Sequence, residues 1–584
     1  MSSKHGLRFT PSPLLTSKTP PWRSTFIVVA LALAFLGLTA RAAYVQVFGN
    51  KFFQQQGKVR FERTLDLPAR RGRIYDRNGL LLASSVVAPS IWAIPEDVTK
   101  EATPDQFSQL AKLLEIPEEQ LKQKLDAREG KSFVWLKRQV DEPVADRIAA
   151  LKIPGVYQRE EYKREYPEGE TMAHVVGFTG IENNGLEGAE LAFDKQLSGK
   201  SGSRHVIKDR FGHVVEVVGD EVPPVDGQDL YLSIDSKIQF FAYQKVRDAV
   251  IANKAKSGSV VVIDTRTGEV LAMANYPSYD PDDRGRLNNA QTRNIAITDT
   301  FEPGSTMKPI TIGTALELGR VTPFTKIDTR PGRYQVGRFT IHDDANFGVL
   351  TVQGVVQKSS NIGALKISQR MRPQELWNVY NLLGYGRRPD LDFPGAAPGF
   401  VRPWKSWRPI EQDTMAYGYG LSASLFQMVH SYTAFAHDGE VIRATLLKSA
   451  SGAPVEGQRV FSPQTAAEIR TMLHMVTGPG GTAPRAQTVG YTVGGKTGTA
   501  HKQVGKGYAG NKYRAWFTGI APIDNTRIAV GVMIDEPSNG QYFGGLVAAP
   551  VFSDVVQQTL RVMGVPPDMT IKPQIVTDAV EDSF

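Results

Sequence analysis

The 584-residue sequence contains no cysteine. That excludes disulfides, a thiolate nucleophile and any zinc site built on sulfur. Histidine is scarce as well. The nine histidines form no H-x-x-x-H pair, so neither a metal site nor a cofactor is expected. Beyond a short basic N-terminal stretch, charge of one sign is not concentrated. The chain carries 68 basic and 60 acidic residues, a net charge of +8. The basic residues are scattered, and no helix shows the basic stripe with interleaved aromatics expected of a nucleic-acid binder. A mild excess of this kind suits a surface that faces anionic lipid or an anionic polymer. Internal repeats and low-complexity tracts are missing too. The length exceeds what one hydrophobic core holds, so several domains are expected.

Long apolar runs are also rare, and the one present is informative. Residues 1–24 carry Lys4, Arg8, Lys18 and Arg23 and no acid. Thr25 to Ala40 then runs sixteen residues without a charge, and Arg41 is followed by AAYVQVF to Phe48. As a helix, residues 25–48 would span about 36 Å, enough for a bilayer. Arg41 can snorkel to the far interface. The basic tail 1–24 places the N-terminus in the cytoplasm and the rest of the chain outside. Ala40-Arg41-Ala42 resembles a cleavage site, but the length of the run and the position of Arg41 favour an uncleaved anchor.

Residues 49–228 read as a mixed α/β pedestal with no nucleophile–base set. Arg71–Gly79 (RGRIYDRNG) reads as a short strand entering an Asn-Gly turn. A charged helical stretch follows from about 102 to 150. Gly185–Glu190 (GLEGAE) precedes a helix, and Glu221–Gly227 (EVPPVDG) is a proline-containing joint. From 229 to 570 the pattern changes. Ile238, Phe241, Ala242, Val246, Ala249 and Val250 recur at helical spacing. Ser259–Asp264 and Glu269–Asn275 form a hairpin. A middle region of helices and loops runs from about 290 to 485. Strands are expected at Tyr491–Ala500, Ala515–Pro522 and Arg527–Asp535, with a final helix over about 550–563. Two early and three late strands imply one five-stranded antiparallel sheet covered by helices, with an all-helical subdomain between. Residues 571–584 read as a polar tail without fixed structure.

The chemistry lies in three short motifs. Ser305 and Lys308, in Phe301–Lys308 (FEPGSTMK), are three residues apart at a helix start and share a face. A serine hydroxyl needs a nearby base, and a lysine serves only if burial or another cation lowers its pKa. Pro309 is tolerated in the first turn. Free N–H groups at a helix start can hold an oxyanion. Taken singly, S-x-x-K describes a capping serine and a solvated lysine. Ser359-Ser360-Asn361 follows 54 residues later. The Ser359 hydroxyl can relay a proton, and the Asn361 amide can bind a substrate amide and orient Lys308. Lys496-Thr497-Gly498-Thr499 comes 137 residues after Ser359, inside a strand. Lys496 and the Thr497 and Thr499 hydroxyls can hold a carboxylate, Gly498 lets a substrate backbone approach, and the Thr499 N–H can complete an oxyanion hole with that of Ser305. K-S-G also occurs at Lys200–Gly202 and Lys256–Gly258, but both precede Ser305 and read as loop or joint sequence. The three motifs in this order form the set of β-lactamases and penicillin-binding proteins.

On these motifs, together with RGRIYDRNG, GLEGAE, Val260–Pro281, Ile297–Pro309, Tyr417–Ser424, Gly494–Lys502 and Tyr542–Phe552, the chain resembles the class B penicillin-binding proteins, and among them the division-specific, FtsI-type branch. The resemblance implies an α+β multidomain protein: a transmembrane helix, an elongated mixed pedestal of the dimerisation type, and a penicillin-binding transpeptidase domain. It implies a peptidoglycan D,D-transpeptidase of the inner membrane, enriched at the septum and inhibited by β-lactams. Ser305 would attack a stem pentapeptide ending in D-Ala-D-Ala, and an acceptor amine would resolve the acyl-enzyme. Lys308 would be the base, and Ser359, Asn361 and Lys496 would complete the catalytic set. Tyr417, Tyr419, Tyr542 and Phe543 could line the substrate or equally fill the core. No E-D-x-x-F-x-x-H polymerase signature follows the anchor, so an FtsW-type glycosyltransferase and other divisome membrane proteins are the implied partners. Where relatives have Thr-Pro after YGYGL-x-x, this chain has Ser424-Leu425, at a helix start. An elongation-type transpeptidase, a D,D-carboxypeptidase, a β-lactamase or β-lactam sensor, and a non-enzymatic divisome scaffold remain as alternatives.

Overall fold

The computed structural model describes residues 20–48, 62–208, 214–218, 220–283, 291–450, 455–504 and 507–569. Most of the cytoplasmic tail expected at 1–24, and the polar tail at 571–584, lie outside them.

The apolar run forms helix α1, Pro21–Ala43, continued by a π-helical turn over Tyr44–Phe48. None of the helix's residues is buried, and Phe26, Leu31, Phe35 and Leu36 are widely exposed. Apolar side chains all around an uncovered helix suit a lipid surround.

Among the described residues the pedestal contains two three-stranded sheets and a four-stranded one that takes in Leu230–Tyr231 at its edge. One small sheet carries Val134–Lys137, Ser90–Ala93 and Val156–Arg159 and packs its own core with the helices between 95 and 150. The strand at Val134–Lys137 interrupts what the charge pattern presents as a continuous helical stretch. Its alternation of Val134 and Leu136 inward is too short to stand out from the neighbouring helices. Two motifs far apart in sequence meet in one buried cluster. Arg71 Nε donates to Glu190 Oε2 at 2.6 Å, and Arg164 Nε to Glu190 Oε1 at 2.7 Å. Arg71 also reaches Asp194, at 2.7 Å. The rest of RGRIYDRNG docks on the second domain. Arg77 pairs with Glu269 at 3.1 Å, and Asp76 accepts from the Ser236 N–H at 3.1 Å.

Beyond this joint, helix α2 (Ser236–Ala252) begins at Asp235, whose carboxylate caps it. The five-stranded sheet is antiparallel throughout. In chain order its strands are β1 (Ser257–Asp264), β2 (Val270–Tyr276), β3 (Gly494–Val504), β4 (Gly507–Ala521) and β5 (Ile528–Asp535); in space they run β2-β1-β5-β4-β3. Every residue of β5 is buried, as a strand covered on both faces requires. Each Val or Ile buried there contributes roughly 1.5–3 kcal/mol. Helix α7 (Ala549–Val562) joins α2 on one face, where Gly519 is backed by Phe552. Helix α6 (Leu425–Ala436) lies on the other, so close that a Cβ at Gly531 would sit 2.3 Å from Val429. Ser424 caps α6 by accepting from the Gln427 N–H at 3.2 Å, so the departure from Thr-Pro leaves a well-formed helix start.

Three expectations change. β4 begins at Gly507 rather than near Ala515, because β3 and β4 continue as a hairpin beyond the sheet. The middle subdomain is not all helical. It adds short ladders, among them Arg333–Val336 with Phe339–His342, turned by Gly337 at φ 56°. Four-residue exposed strands carry little apolar pattern, and the two-residue Gly-Arg turn is their only local signal. Lys256-Ser257-Gly258 is also not a loop but the entry to β1.

Candidate active site

The approach to Ser305 is a glycine turn. Gly304 has φ 55° and its N–H donates to Gly418 O at 3.0 Å. A side chain at 418 would strike the Gly304 backbone at 2.0 Å, so both positions need glycine. Gly304–Met307 forms a 3₁₀ turn, and helix α3 (Lys308–Glu317) follows with Pro309 in its first turn, as the sequence predicts. Lys308 through Leu316 are all buried.

Ser359 occupies the corner between helix α4 (Val352–Lys358) and helix α5 (Asn361–Ser368). It takes a left-handed conformation, φ 61° and ψ 36°, which a β-carbon makes costly. Ser360 caps α5 by accepting from the Gly363 N–H at 2.8 Å. Asp343, which carried no signal in the sequence, clamps this corner. Its carboxylate accepts from the Ser360 hydroxyl at 2.6 Å, from the Ile362 N–H at 3.0 Å and from the Asn361 N–H.

The third motif lies on β3, the edge strand. The sequence-predicted catalytic residues meet here. Lys308 Nζ donates to Ser305 Oγ at 3.0 Å, to Ser359 Oγ at 3.1 Å, to Asn361 Oδ1 at 2.8 Å and to the Ser359 carbonyl. Lys496 Nζ donates to Ser359 Oγ at 2.8 Å and lies 3.3 Å from Thr497 Oγ1. Ser359 thus sits between two lysine amino groups that are both fully buried. Burial lowers the Lys308 pKa to about 7, against a smaller upward pull from Asp343 and Asp344. Burial, and then the neighbouring Lys308, hold Lys496 well below its ordinary value. A neutral amine beside Ser305 is therefore available near neutral pH.

Thr497 Oγ1 lies 3.0 Å from Thr482 Oγ1, and Thr499 Oγ1 accepts from the Gly544 N–H at 3.0 Å. Gly498 is packed from behind by Trp516 of β4, a residue the motifs do not mark. Beyond Thr499, the residues Ala500, His501, Glu302, Phe400, Arg402 and Arg514 line a cavity of about 600 Å³ that opens beside the strand.

The four aromatics divide into two pairs. Tyr417 and Tyr419 sit 5.7 Å apart, and Tyr417 belongs to the buried core. Tyr542 stacks between Tyr513, at 4.1 Å, and Phe543, at 4.5 Å, and Phe543 is 50% exposed. Tyr513 was not marked by the sequence because its place in the stack depends on the β3–β4 hairpin. Among the described residues no group of histidine and carboxylates could hold a metal.

Residues 258–557 match the penicillin binding protein transpeptidase domain, and 66–232 the penicillin-binding protein dimerisation domain. The chain is 39% identical over 556 residues to the peptidoglycan D,D-transpeptidase FtsI of Escherichia coli K12, covering 94% of this chain and 93% of that one. It is 42% identical over 547 residues to the "Probable peptidoglycan D,D-transpeptidase PenA" of Neisseria gonorrhoeae, covering 93% of each. The transpeptidase domain of penicillin-binding protein 3 from Burkholderia pseudomallei superposes with a TM-score of 0.54 at 54% identity, covering 58% of this chain and 98% of that one.

Proposed function

The chain belongs to the penicillin-binding peptidoglycan D,D-transpeptidases, and from that premise we propose how its residues divide the work of crosslinking stem peptides during septal wall synthesis. The observation that carries the assignment is the Lys308 amine, buried, with a pKa of about 7 and within hydrogen-bond distance of both the Ser305 and Ser359 hydroxyls.

Neutral Lys308 takes the Ser305 proton as Oγ attacks the carbonyl of the penultimate D-Ala. The N–H groups of Ser305 and Thr499 receive the oxyanion. Ser359 passes the proton to the leaving amine, Asn361 holds a donor-peptide amide and the Lys308 amine, and Lys496 keeps the Ser359 hydroxyl oriented. The terminal carboxylate sits at Lys496, Thr497 and Thr499, with Gly498 allowing close approach. The donor then runs antiparallel along β3, as an added strand, and its upstream residues enter the cavity past Ala500 and His501. Tyr542 and Phe543 flank that path. Tyr417 and Tyr419 act from behind, in the wall that holds Gly304. An acceptor amine enters where D-Ala leaves and reverses the proton path. A β-lactam acylates Ser305 and stays because no amine takes its leaving group's place.

The division into residues 1–24 cytoplasmic, 25–48 transmembrane, 49–228 pedestal, 229–570 transpeptidase and 571–584 tail is part of the same proposal. So are an inner-membrane anchor with the catalytic domain in the periplasm, enrichment at the septum, and an FtsW-type glycosyltransferase as partner.

The test is incubation of the full-length protein with a pentapeptide, with and without an acceptor amine, beside fluorescent-penicillin labelling. We expect crosslinked product and a stable label, both lost in Ser305→Ala. D-Ala release without crosslink would favour a carboxypeptidase. Rapid hydrolytic loss of the label would favour a β-lactamase.

A further inference from the structure

Arg514 and Trp516 stand two residues apart on β4, hence on one face of the sheet. They pair in register with Ala500 and Gly498 of β3. Both also grip the segment that leads into Ser305. The Arg514 guanidinium lies 5.5 Å from the centre of the Phe301 ring. It is fixed there by Asp535, at 2.8 Å, whose other oxygen accepts from Lys502 at 2.8 Å. The Phe301 ring packs on the Trp516 indole, 4.9 Å between centres. The indole N–H donates to the Pro303 carbonyl at 2.9 Å. That carbonyl also accepts from the Thr306 hydroxyl at 2.6 Å. The oxygen that opens the nucleophile turn is therefore bonded from both sides, once by the turn itself and once by the sheet.

We propose that Trp516 is a positioning residue for acylation. Seated against Gly498 and bonded to Pro303, it sets the separation between the Ser305 turn and β3, and so between the two N–H groups that receive the oxyanion. Arg514 acts through Phe301, keeping the entering segment pressed to the indole. The proposal rests on Ser305 as nucleophile and on the Ser305 and Thr499 N–H groups as the oxyanion site.

Two physical points separate this role from ordinary core packing. Oxyanion donors are aimed at the charge that develops in the transition state, so a misplaced donor slows the chemical step and leaves ground-state binding alone. A tryptophan that only filled space would, when altered, change stability and not the rate of the folded molecules. Its N–H would also be dispensable if its shape were kept.

The experiment uses the full-length chain in detergent and a fluorescent penicillin over a range of concentrations, which separates the affinity of the first complex from the acylation rate constant. Trp516→Phe keeps a ring and removes the N–H. Replacement of Trp516 by benzothienylalanine keeps the whole shape, with sulfur in place of N–H. Loss of one hydrogen bond predicts an acylation rate about 10-fold lower in both. The affinity of the first complex should stay within about twofold, and the pH limb set by Lys308 should not move, because neither change alters the lysine's surroundings. A wild-type acylation rate in the benzothienylalanine protein would overturn the proposal. So would a loss confined to first-complex affinity or to the fraction of molecules labelled. Ser305→Ala run alongside keeps the two readings apart: a label that survives it would refute the nucleophile itself, whatever Trp516 does.

Discussion

Gly498 and Trp516 compete for one volume: a Cβ on residue 498 would lie 1.8 Å from the indole Nε1. The motif glycine is thus required by a side chain on the neighbouring strand, and not only by a substrate. Gly498→Ala should force β3 and β4 apart, at a cost of about 1–3 kcal/mol as for other overpacked sites. We expect a lower melting temperature and loss of penicillin labelling. Adding Trp516→Phe, which vacates the space, should recover part of the melting temperature. No recovery in the double variant would mean that the clash is relieved elsewhere.

The buried lysine sets a pH limb. Lys308 must be neutral to act as base, and its pKa is lowered to about 7 by burial. Acylation should therefore rise with pH and level off above about 7. Asp344, exposed and lacking the clamp that Asp343 provides, pulls the pKa upward. Asp344→Asn should shift the limb to lower pH and raise the acylation rate at pH 6, measured by penicillin labelling. A limb moving to higher pH would contradict this sign. The stability effect runs the same way. Between about 7 and the ordinary lysine value of 10.5 the unfolded chain binds the extra proton, so the cost of burying Lys308 is full below 7 and fades as pH rises. Denaturant titrations of the wild type and of Lys308→Met should show the variant's relative advantage shrinking from pH 7 to 10.

Ser359 combines a strained backbone with the hydroxyl proposed to relay the proton. Its left-handed conformation, φ 61°, suits glycine. Ser359→Gly should be as stable as the wild type or more so, by up to about 1 kcal/mol. It should still lose crosslinking by 10²-fold or more, in the range of general acid–base contributions (roughly 10²–10⁴). Melting temperature and product formation, measured on one preparation, check both halves. A glycine variant that kept turnover would remove Ser359 from the proton path.

The pedestal cluster offers a test remote from the chemistry. Arg71 and Glu190 have no exposed side-chain surface, and Arg164 shares the same carboxylate. Glu190→Ala would leave two buried guanidinium groups short of an anion, a loss of about 3–5 kcal/mol. A melting-temperature drop much smaller than that of a typical core deletion would show that water or Asp194 replaces the carboxylate.

The sequence made the proposed catalytic residues legible because each is a reactive side chain in an ordered motif, and Ser305, Lys308, Ser359, Asn361 and Lys496 do come together. It carried the sheet because β1, β2 and β5 are long apolar runs. It did not carry Asp343, Trp516 or Tyr513. Each acts through a partner distant in sequence, namely the Asn361 corner, Pro303 and Tyr542, and only strand register and loop path bring them together. The small ladder at Arg333–His342 was hidden for the opposite reason. Its strands face water and leave no apolar period to read. Arg71 and Glu190 stood out as parts of two motifs, but nothing local joins them.

The position of β3 at the margin of the sheet has one more consequence. A strand with unpaired N–H and C=O groups along one side invites any extended chain, including a second copy of itself, and most proteins cover or shorten such a margin. Here that margin lies beside the Ser305 turn. Towards the far end of the β3–β4 hairpin, Lys502 of β3 and Lys512 and Arg514 of β4 are tied to Asp535 and Glu536. Those charges make the hairpin a poor seat for a neighbouring molecule while leaving the stretch from Lys496 to Thr499 open. On the proposed donor path the sheet would gain a sixth strand with each bound donor and give it up again with each round of crosslinking.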